Sequence, residues 1–142
     1  MRRVSIGTIM LLVIAGMIFA TVTLSAQNSG HTDTKKLKNP VKSTPESIAA
    51  GKVLYAKSCT FCHGSTGKGD GPVAASTKGT KPSNIADDKW DHGSTDGEIF
   101  TNIKDGIGPK FEMKASKGKI ADQDIWHLVN YVRSLGPAAT TK

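Results

Sequence analysis

Cys59-Thr60-Phe61-Cys62-His63 is the stretch on which the fold and function of this 142-residue chain depend. Two cysteines three residues apart, followed directly by a histidine, form the attachment signature of a c-type haem. The two thiols can reach the two vinyl groups of one porphyrin and become thioethers, while the next imidazole becomes the proximal ligand of the iron. The stretch therefore predicts one covalently attached haem c, held by Cys59 and Cys62, with His63 on the iron.

Other uses of two cysteines fit the sequence less well. A structural zinc site requires four ligands, usually with a second pair of cysteines or histidines, but Cys59 and Cys62 are the only cysteines in the chain. A thioredoxin-like dithiol follows a strand in a βαβ unit, and no strand pattern precedes this motif. A chance match to a short motif stays open at this point.

The first 26 residues have the layout of a secretory signal peptide. Arg2 and Arg3 precede an apolar run over residues 6–22, and a run of small and polar residues follows to Ala26. The apolar run is also close to the length that spans a bilayer, so an uncleaved N-terminal anchor is the alternative. Either interpretation places the rest of the chain in the periplasm. Unpaired cysteines tend to oxidise there, and thioether formation prevents this.

Residues 27–43 read as a polar linker with four lysines and only Asp33 opposing them. The segment has no apolar periodicity, so we expect a solvated or disordered arm; weak attraction to anionic lipid or to a partner is the alternative. The expected domain covers residues 44–137, with a tail at 138–142. From Pro45 to Pro137, eleven lysines and Arg133 face eleven carboxylates, which is a net charge of about +1. Nucleic-acid binding is therefore not expected.

Three helices are indicated within the domain. Thr44 as N-cap and Pro45 at the first position predict a helix to about Lys57. Thr95 and Glu98 form a capping-box pattern for a second helix to about Lys104. The third is expected from Asp122 to Leu135, with apolar residues at helical spacing and Gly136-Pro137 after it. The glycine-rich stretch 64–71 is expected to be a loop, and no segment alternates like a strand, so the fold class is all-α.

The chain resembles the class I cytochrome c family over roughly residues 39–135. Gly51 and Tyr55 stand eight and four residues before Cys59, and Leu128 and Tyr131 match the pair on the family's last helix. The runs 63–72 and 120–126 are similar to the branch that contains haem-c carriers and haem-c subunits of oxidases and dehydrogenases. The resemblance implies a small cytochrome c fold, with three main helices, short helices and loops wrapped around one covalently attached haem.

The resemblance also implies Met113 as the distal iron ligand, because it lies in a loop seven residues before Ile120. The family commonly has proline directly after this methionine, whereas this chain has Lys114. Thioether and imidazole together raise the reduction potential and close the iron to external ligands. The remaining histidines, His31, His92 and His127, are expected at solvated or hydrogen-bonded positions. Among them, His92 is the alternative candidate for the distal ligand.

Further haem contacts are expected from three residues. Pro82 resembles the family's proline whose carbonyl fixes the ring of the proximal histidine, with Pro72 as its rival for this role. Ile85 is then expected to pack on the porphyrin. Trp90 is expected to pack in the core or on the haem, without a specific hydrogen bond.

The function expected from these features is single-electron transport between redox partners in the periplasm by a monomeric, monohaem cytochrome of a respiratory chain. We expect an electron carrier and not an enzyme, unless the chain is a subunit of an oxidoreductase complex, and we expect no catalytic residues. The alternatives are a membrane-anchored haem-c subunit of an oxidase or dehydrogenase complex and, third, a haem enzyme or gas sensor with an open sixth position. Membrane contact is expected only if the leader stays uncleaved. A partner with an acidic docking face would suit the lysines near Met113: Lys104, Lys110, Lys114, Lys117 and Lys119.

Overall fold

The computed structural model describes residues 34–76, 81–108 and 113–136, and within them the chain is helical. Four helices are named here in chain order: α1 Pro45–Ser58, α2 Thr60–His63, α3 Asp96–Asp105 and α4 Asp122–Leu135. Residues 34–36 are also helical. Over these three ranges the β-type pairing is confined to one bridge between Ile107 and Met113, which confirms the all-α prediction.

Several sequence predictions lie outside the described residues: the leader 1–26, the first part of the linker, Lys110 and the tail 138–142. In the part of the chain that is described, no helix combines the length and the apolar character needed to cross a bilayer.

α1 and α3 begin at the residues that the capping patterns predicted, and α4 begins at the predicted Asp122 without a side-chain cap. The Thr44 side chain accepts a hydrogen bond from the Ser47 amide at 3.2 Å at the start of α1. Thr95 and Glu98 form a complete capping box at the start of α3, with each side chain bonded to the other's backbone amide. These bonds satisfy amides that an α-helix leaves unpaired at its first turn.

α1 and α4 cross at Gly51, where the two backbones are in direct contact. A Cβ atom on Gly51 would lie 2.1 Å from the His127 carbonyl oxygen and 2.7 Å from the Cβ of Tyr131. The Tyr55 and Tyr131 rings cover the crossing with their centroids 5.1 Å apart. Gly51, Tyr55 and Tyr131, three of the residues that carry the family resemblance, thus form this helix crossing.

The apolar core joins α1, α3 and α4. Ile125, Leu128 and Val129 on α4 are completely buried, and α3 packs against them through Ile99, Phe100 and Ile103. The Phe100 ring stacks on Trp126 at a centroid distance of 4.0 Å. Residues of the candidate site pack against this core.

Residues 34–43, called the strap below, are packed against the domain, so the expectation of a solvated arm is wrong for this part of the linker. Asn130, buried on α4, donates to the backbone oxygens of Val41 and Lys42 at 3.2 and 3.3 Å, and its own oxygen accepts from the Asn39 amide at 2.8 Å. The strap thus satisfies a polar side chain that would be costly to bury alone. The strap thus belongs to the same compact unit as the helices.

The strap also lies across the first turn of α3. A Cβ on Gly97 would lie 2.0 Å from the Thr34 carbonyl oxygen and 2.7 Å from the Cβ of Leu37. The Lys35 ammonium stands 3.8 Å from the carboxylate of the buried Glu98. Glycine at position 97 is therefore needed for the strap to approach this helix.

Candidate haem site

The attachment motif lies on a single helical turn directly after α1. Cys59 ends α1 by donating its amide to the Tyr55 carbonyl, and the amides of Cys62 and His63 both donate to the Cys59 carbonyl at 3.1 and 2.9 Å. Both cysteines are free thiols and half-buried. The turn therefore presents two unpaired thiols and one imidazole from adjoining positions, as the motif predicts.

The glycine-rich loop after the motif folds back onto this turn. The amides of Gly69 and Gly71 donate to the carbonyls of His63 and Cys62 at 2.9 and 3.1 Å. A Cβ on Gly71 would lie within 2.5 to 2.7 Å of three carbonyl oxygens of the turn. Glycine is required here because backbone packs on backbone, and the loop fixes the turn that carries the thiols.

The His63 ring is held by a backbone oxygen. Its Nδ1 lies 3.2 Å from the Ser83 carbonyl, which can only accept, so Nδ1 carries the proton. Burial lowers the pKa of His63, although the hydrogen bond to Ser83 opposes this. At neutral pH the ring is therefore neutral with an unprotonated Nε2, which is the form of imidazole that binds a metal.

The Cys59 thiol is kept protonated by its surroundings. Burial raises the pKa of this thiol to about 11, and the nearby Cys62 sulfur adds to the shift. A thiol of this kind is a poor nucleophile and a poor metal ligand at neutral pH. Cys59 is accordingly unlike the activated thiol of a redox enzyme.

Met113 borders the same apolar core as the motif. It is half-buried, and it packs against that core together with Cys59, Ile85 and Trp90. Its backbone pairs with Ile107 at the C-terminal end of α3. The thioether residue, one attachment cysteine and two of the expected haem contacts thus all pack against the same apolar core.

The carbonyl expected from Pro82 is supplied by its neighbour, and this prediction is wrong by one residue. Ser83, not Pro82 or Pro72, accepts from His63. The Pro82 oxygen instead packs on Gly69, where a Cβ would lie 2.1 Å from it. A sequence pattern marks the proline, but the direction of each carbonyl depends on the path of the loop, which the pattern does not encode.

Trp90 and the two described histidines occupy the kinds of position expected of them. Trp90 is half-buried with the Arg133 guanidinium 5.5 Å from its ring centroid. The His92 side chain is exposed. The Nδ1 of His127 lies 2.8 Å from the Ser47 hydroxyl, so its ring is engaged away from the motif.

Tyr55 has a role that sequence reasoning missed. Besides covering the helix crossing, its hydroxyl donates to the Gly64 carbonyl at 2.9 Å and so ties α1 to the residue after the motif. The side chain is 2% exposed, and burial is the main cause that raises the pKa of its phenol. A buried tyrosine normally finds a hydrogen-bond partner; the sequence indicates burial but not the partner.

Comparison with known proteins agrees with the geometry. Residues 48–136 match the family model described as cytochrome c. A cbb3-type cytochrome c oxidase subunit FixP of Azorhizobium caulinodans is 36% identical over 97 residues, which are 64% of this chain and 30% of that protein. A subunit CcoP of the same type from Rubrivivax gelatinosus is 33% identical over 95 residues, 66% of this chain and 28% of that protein.

Among solved structures, one chain of a Kuenenia stuttgartiensis reducing HAO-like protein complex superposes with a TM-score of 0.62 at 28% identity. The match covers 71% of this chain and 50% of that one. The chain spans less than a third of the length of the two oxidase subunits. It belongs to the cytochrome c family.

Membership of that family implies covalently bound haem c, and the described residues fit such a group. The two thiols are unpaired and close together in sequence on one turn. The imidazole has its Nδ1 engaged and its Nε2 available. The half-buried apolar side chains around the core supply the nonpolar surroundings that a porphyrin needs.

Proposed function

We propose that this protein carries single electrons between redox partners in the periplasm on one haem c, attached through Cys59 and Cys62. The observation that carries the proposal is the turn on which both unpaired thiols adjoin a neutral imidazole held at Nδ1 by Ser83. The bound haem would supply a one-electron iron couple. The role of the protein is to hold the group, to keep water from it and to set the ligands of the iron.

His63 is the proposed proximal ligand and Met113 the proposed distal ligand. Support for Met113 comes from its half-buried place against the apolar core and from its anchored backbone. A thioether opposite an imidazole favours the ferrous state and leaves no position for an external ligand. This ligand set suits an electron carrier better than a haem enzyme or a gas sensor. Ile85 and Trp90 are proposed to contact the porphyrin from the same core.

Attachment and stoichiometry can be tested on the exported protein. We expect one haem per chain that stays with the polypeptide during extraction with acidified acetone. The variant Cys59→Ser, Cys62→Ser should release its haem under the same treatment. Haem lost from the unaltered protein, or a ratio other than one, would contradict the proposal.

The second candidate is a haem-c subunit of a membrane-bound respiratory complex. It is favoured by the relatives whose names place them in cbb3-type oxidases, and by the apolar run over residues 6–22. The N-terminus of the mature protein separates the two candidates. Mass spectrometry that finds Met1 retained in the membrane fraction, together with co-purifying subunits, would favour the subunit. A processed N-terminus in the soluble periplasmic fraction would favour the free carrier.

The docking partner is proposed to present an acidic face. Lys114, Lys117 and Lys119 are exposed on the segment that follows Met113. Lys104 is not equivalent to them, because its ammonium bonds the Asp122 carboxylate at 2.7 Å. The three exposed cations would steer an acidic partner towards this side of the domain.

A further inference from the structure

The backbone of Met113 is fixed on both of its hydrogen-bonding groups. Its carbonyl accepts from the Ile107 amide at 2.9 Å, and its amide donates to the Ile107 carbonyl at 3.3 Å. Gly106 makes this pairing possible, because a Cβ there would lie 2.6 Å from the Met113 oxygen and 2.9 Å from the Ala115 nitrogen. Its φ of +80° also disfavours other residues.

A second anchor lies three residues further on, at Ser116. Both its hydroxyl and its amide donate to the Ile103 carbonyl, at 2.7 and 3.1 Å. The Lys117 amide donates to the Lys104 carbonyl at 2.9 Å. These two carbonyls belong to the last turn of α3, where a helix leaves its oxygens unpaired. The segment after Met113 thus acts as the C-terminal cap of α3.

Ser116 also connects this cap to α4. Its carbonyl accepts from the amides of Lys119 and Ile120 at 2.9 and 3.1 Å, which forms the turn before that helix. All the backbone and side-chain groups of Ser116 that can form hydrogen bonds are therefore engaged. Between Met113 and Ser116 lie only Lys114 and Ala115, both of which are exposed.

We propose that Ser116 is a positioning residue for the Met113 thioether. It holds the loop in place of the proline that the family commonly has at the position of Lys114. Position 114 is lysine, so the backbone after Met113 has no fixed φ of its own. The order of this segment comes from the pairing at Ile107 and from the double bond of Ser116 to Ile103. This inference rests on the proposed ligation by Met113.

Displacement of Met113 by imidazole in the oxidised holoprotein reports the fraction of molecules in which the loop is open. An external ligand binds only the open form, so its apparent affinity rises in proportion to the open fraction. Loss of one half-buried hydroxyl bond should raise that fraction, and hence the apparent affinity for imidazole, about fivefold. The titration is followed by loss of the optical band that reports a thioether on ferric haem.

Three variants complete the design. Ser116→Ala should bind imidazole about fivefold more tightly, whereas Ser116→Thr keeps the hydroxyl and should bind it as the unaltered protein does. Ser134→Ala is the matched control, since Ser134 also donates its hydroxyl to a backbone carbonyl, at 2.6 Å, but on α4. Its affinity for imidazole should not change.

Two results would overturn the inference: an unchanged affinity in Ser116→Ala, or an equal rise in Ser134→Ala, which would indicate general loosening. If Ser116→Ala does not accumulate with haem, Gly106→Ala takes its place. That variant disrupts the pairing at Met113, and an unchanged affinity would again overturn the inference. Absence of the thioether band from the unaltered protein is a separate outcome, because it refutes ligation by Met113 itself.

Discussion

The crossing of α1 and α4 at Gly51 gives the sharpest prediction for stability. Ala at this position would place a methyl group 2.1 Å from the His127 carbonyl oxygen and 2.7 Å from the carbonyl carbon. A carbon and an oxygen in contact are normally about 3.3 Å apart, so the helices would have to separate by roughly 1 Å. The obstacle is backbone, which cannot turn aside as a flexible side chain would.

The magnitude is a balance of two effects. Overpacking of this kind costs about 1–3 kcal/mol. We take the upper end of this range because the His127 carbonyl and the Tyr131 Cβ, which the new methyl group would meet, both belong to α4. Replacement of glycine by alanine inside a helix contributes about 1 kcal/mol in the opposite direction. We therefore expect Gly51→Ala to lower the free energy of unfolding by about 2 kcal/mol.

Urea unfolding of the holoprotein, followed by far-UV circular dichroism, measures this change. The control is Ala50→Gly on the exposed side of α1, which isolates helix propensity and should cost about 1 kcal/mol. If helix propensity alone operated at position 51, Gly51→Ala would be more stable than the unaltered protein. That result would refute the close approach of the two backbones.

Three further predictions concern the strap, the cap of α3 and the docking side. Asn130→Ala should cost about 2–3 kcal/mol and expose residues 34–43 to proteases, because it removes the buried amide that bonds the Val41 carbonyl, the Asn39 side chain and the Ser47 hydroxyl. Glu98→Gln should cost about 1 kcal/mol at neutral pH. The Thr95 amide is the main cause that lowers the pKa of Glu98, so this difference should shrink as the pH falls below about 4. Combined replacement by glutamine of Lys114, Lys117 and Lys119 should slow electron transfer to an acidic partner and reduce its dependence on ionic strength.

Each of the three has its own check. Limited proteolysis should leave the strap intact in Asn84→Ala, an exposed asparagine elsewhere; equal cleavage of both variants would contradict a specific role for Asn130. For Glu98→Gln, urea unfolding at several pH values should show a deficit that is constant above the ordinary pKa of glutamate. A deficit that grows on acidification would have the wrong sign. For the lysine replacements, the rate of electron transfer is measured by stopped flow over a range of salt concentrations. An equal salt dependence in the unaltered protein and the variant would refute the steering proposal.

The parts predicted well from the sequence are those governed by local rules. The starts of α1 and α3 follow from Thr44 and the Thr95–Glu98 pair, because a cap interacts with residues only three positions away. α4 ends before Gly136, as the sequence predicts. The attachment motif is equally local. Gly51 was recognised through a family resemblance, and the backbone contact explains why a glycine stands there.

The parts that were missed depend on contacts distant in sequence. The strap resembles a solvated linker because it is rich in lysine. Asn39, which attaches the strap to the domain, bonds a partner 91 positions away in the sequence. The carbonyl that holds His63 belongs to Ser83 because of the path of a loop. Ser116 has no local signature either, since its role appears only once the end of α3 is placed beside it.

Ligation of the iron by Met113 is tested most directly by carbon monoxide binding to the reduced holoprotein and to Met113→Ala, with His92→Ala as control. The unaltered protein and His92→Ala should show the thioether band when oxidised and should not bind carbon monoxide when reduced. Met113→Ala should lose the band and bind the gas readily, because its sixth position is open. Ready binding by the unaltered protein, or an optical spectrum of Met113→Ala identical to it, would contradict a closed electron-transfer site.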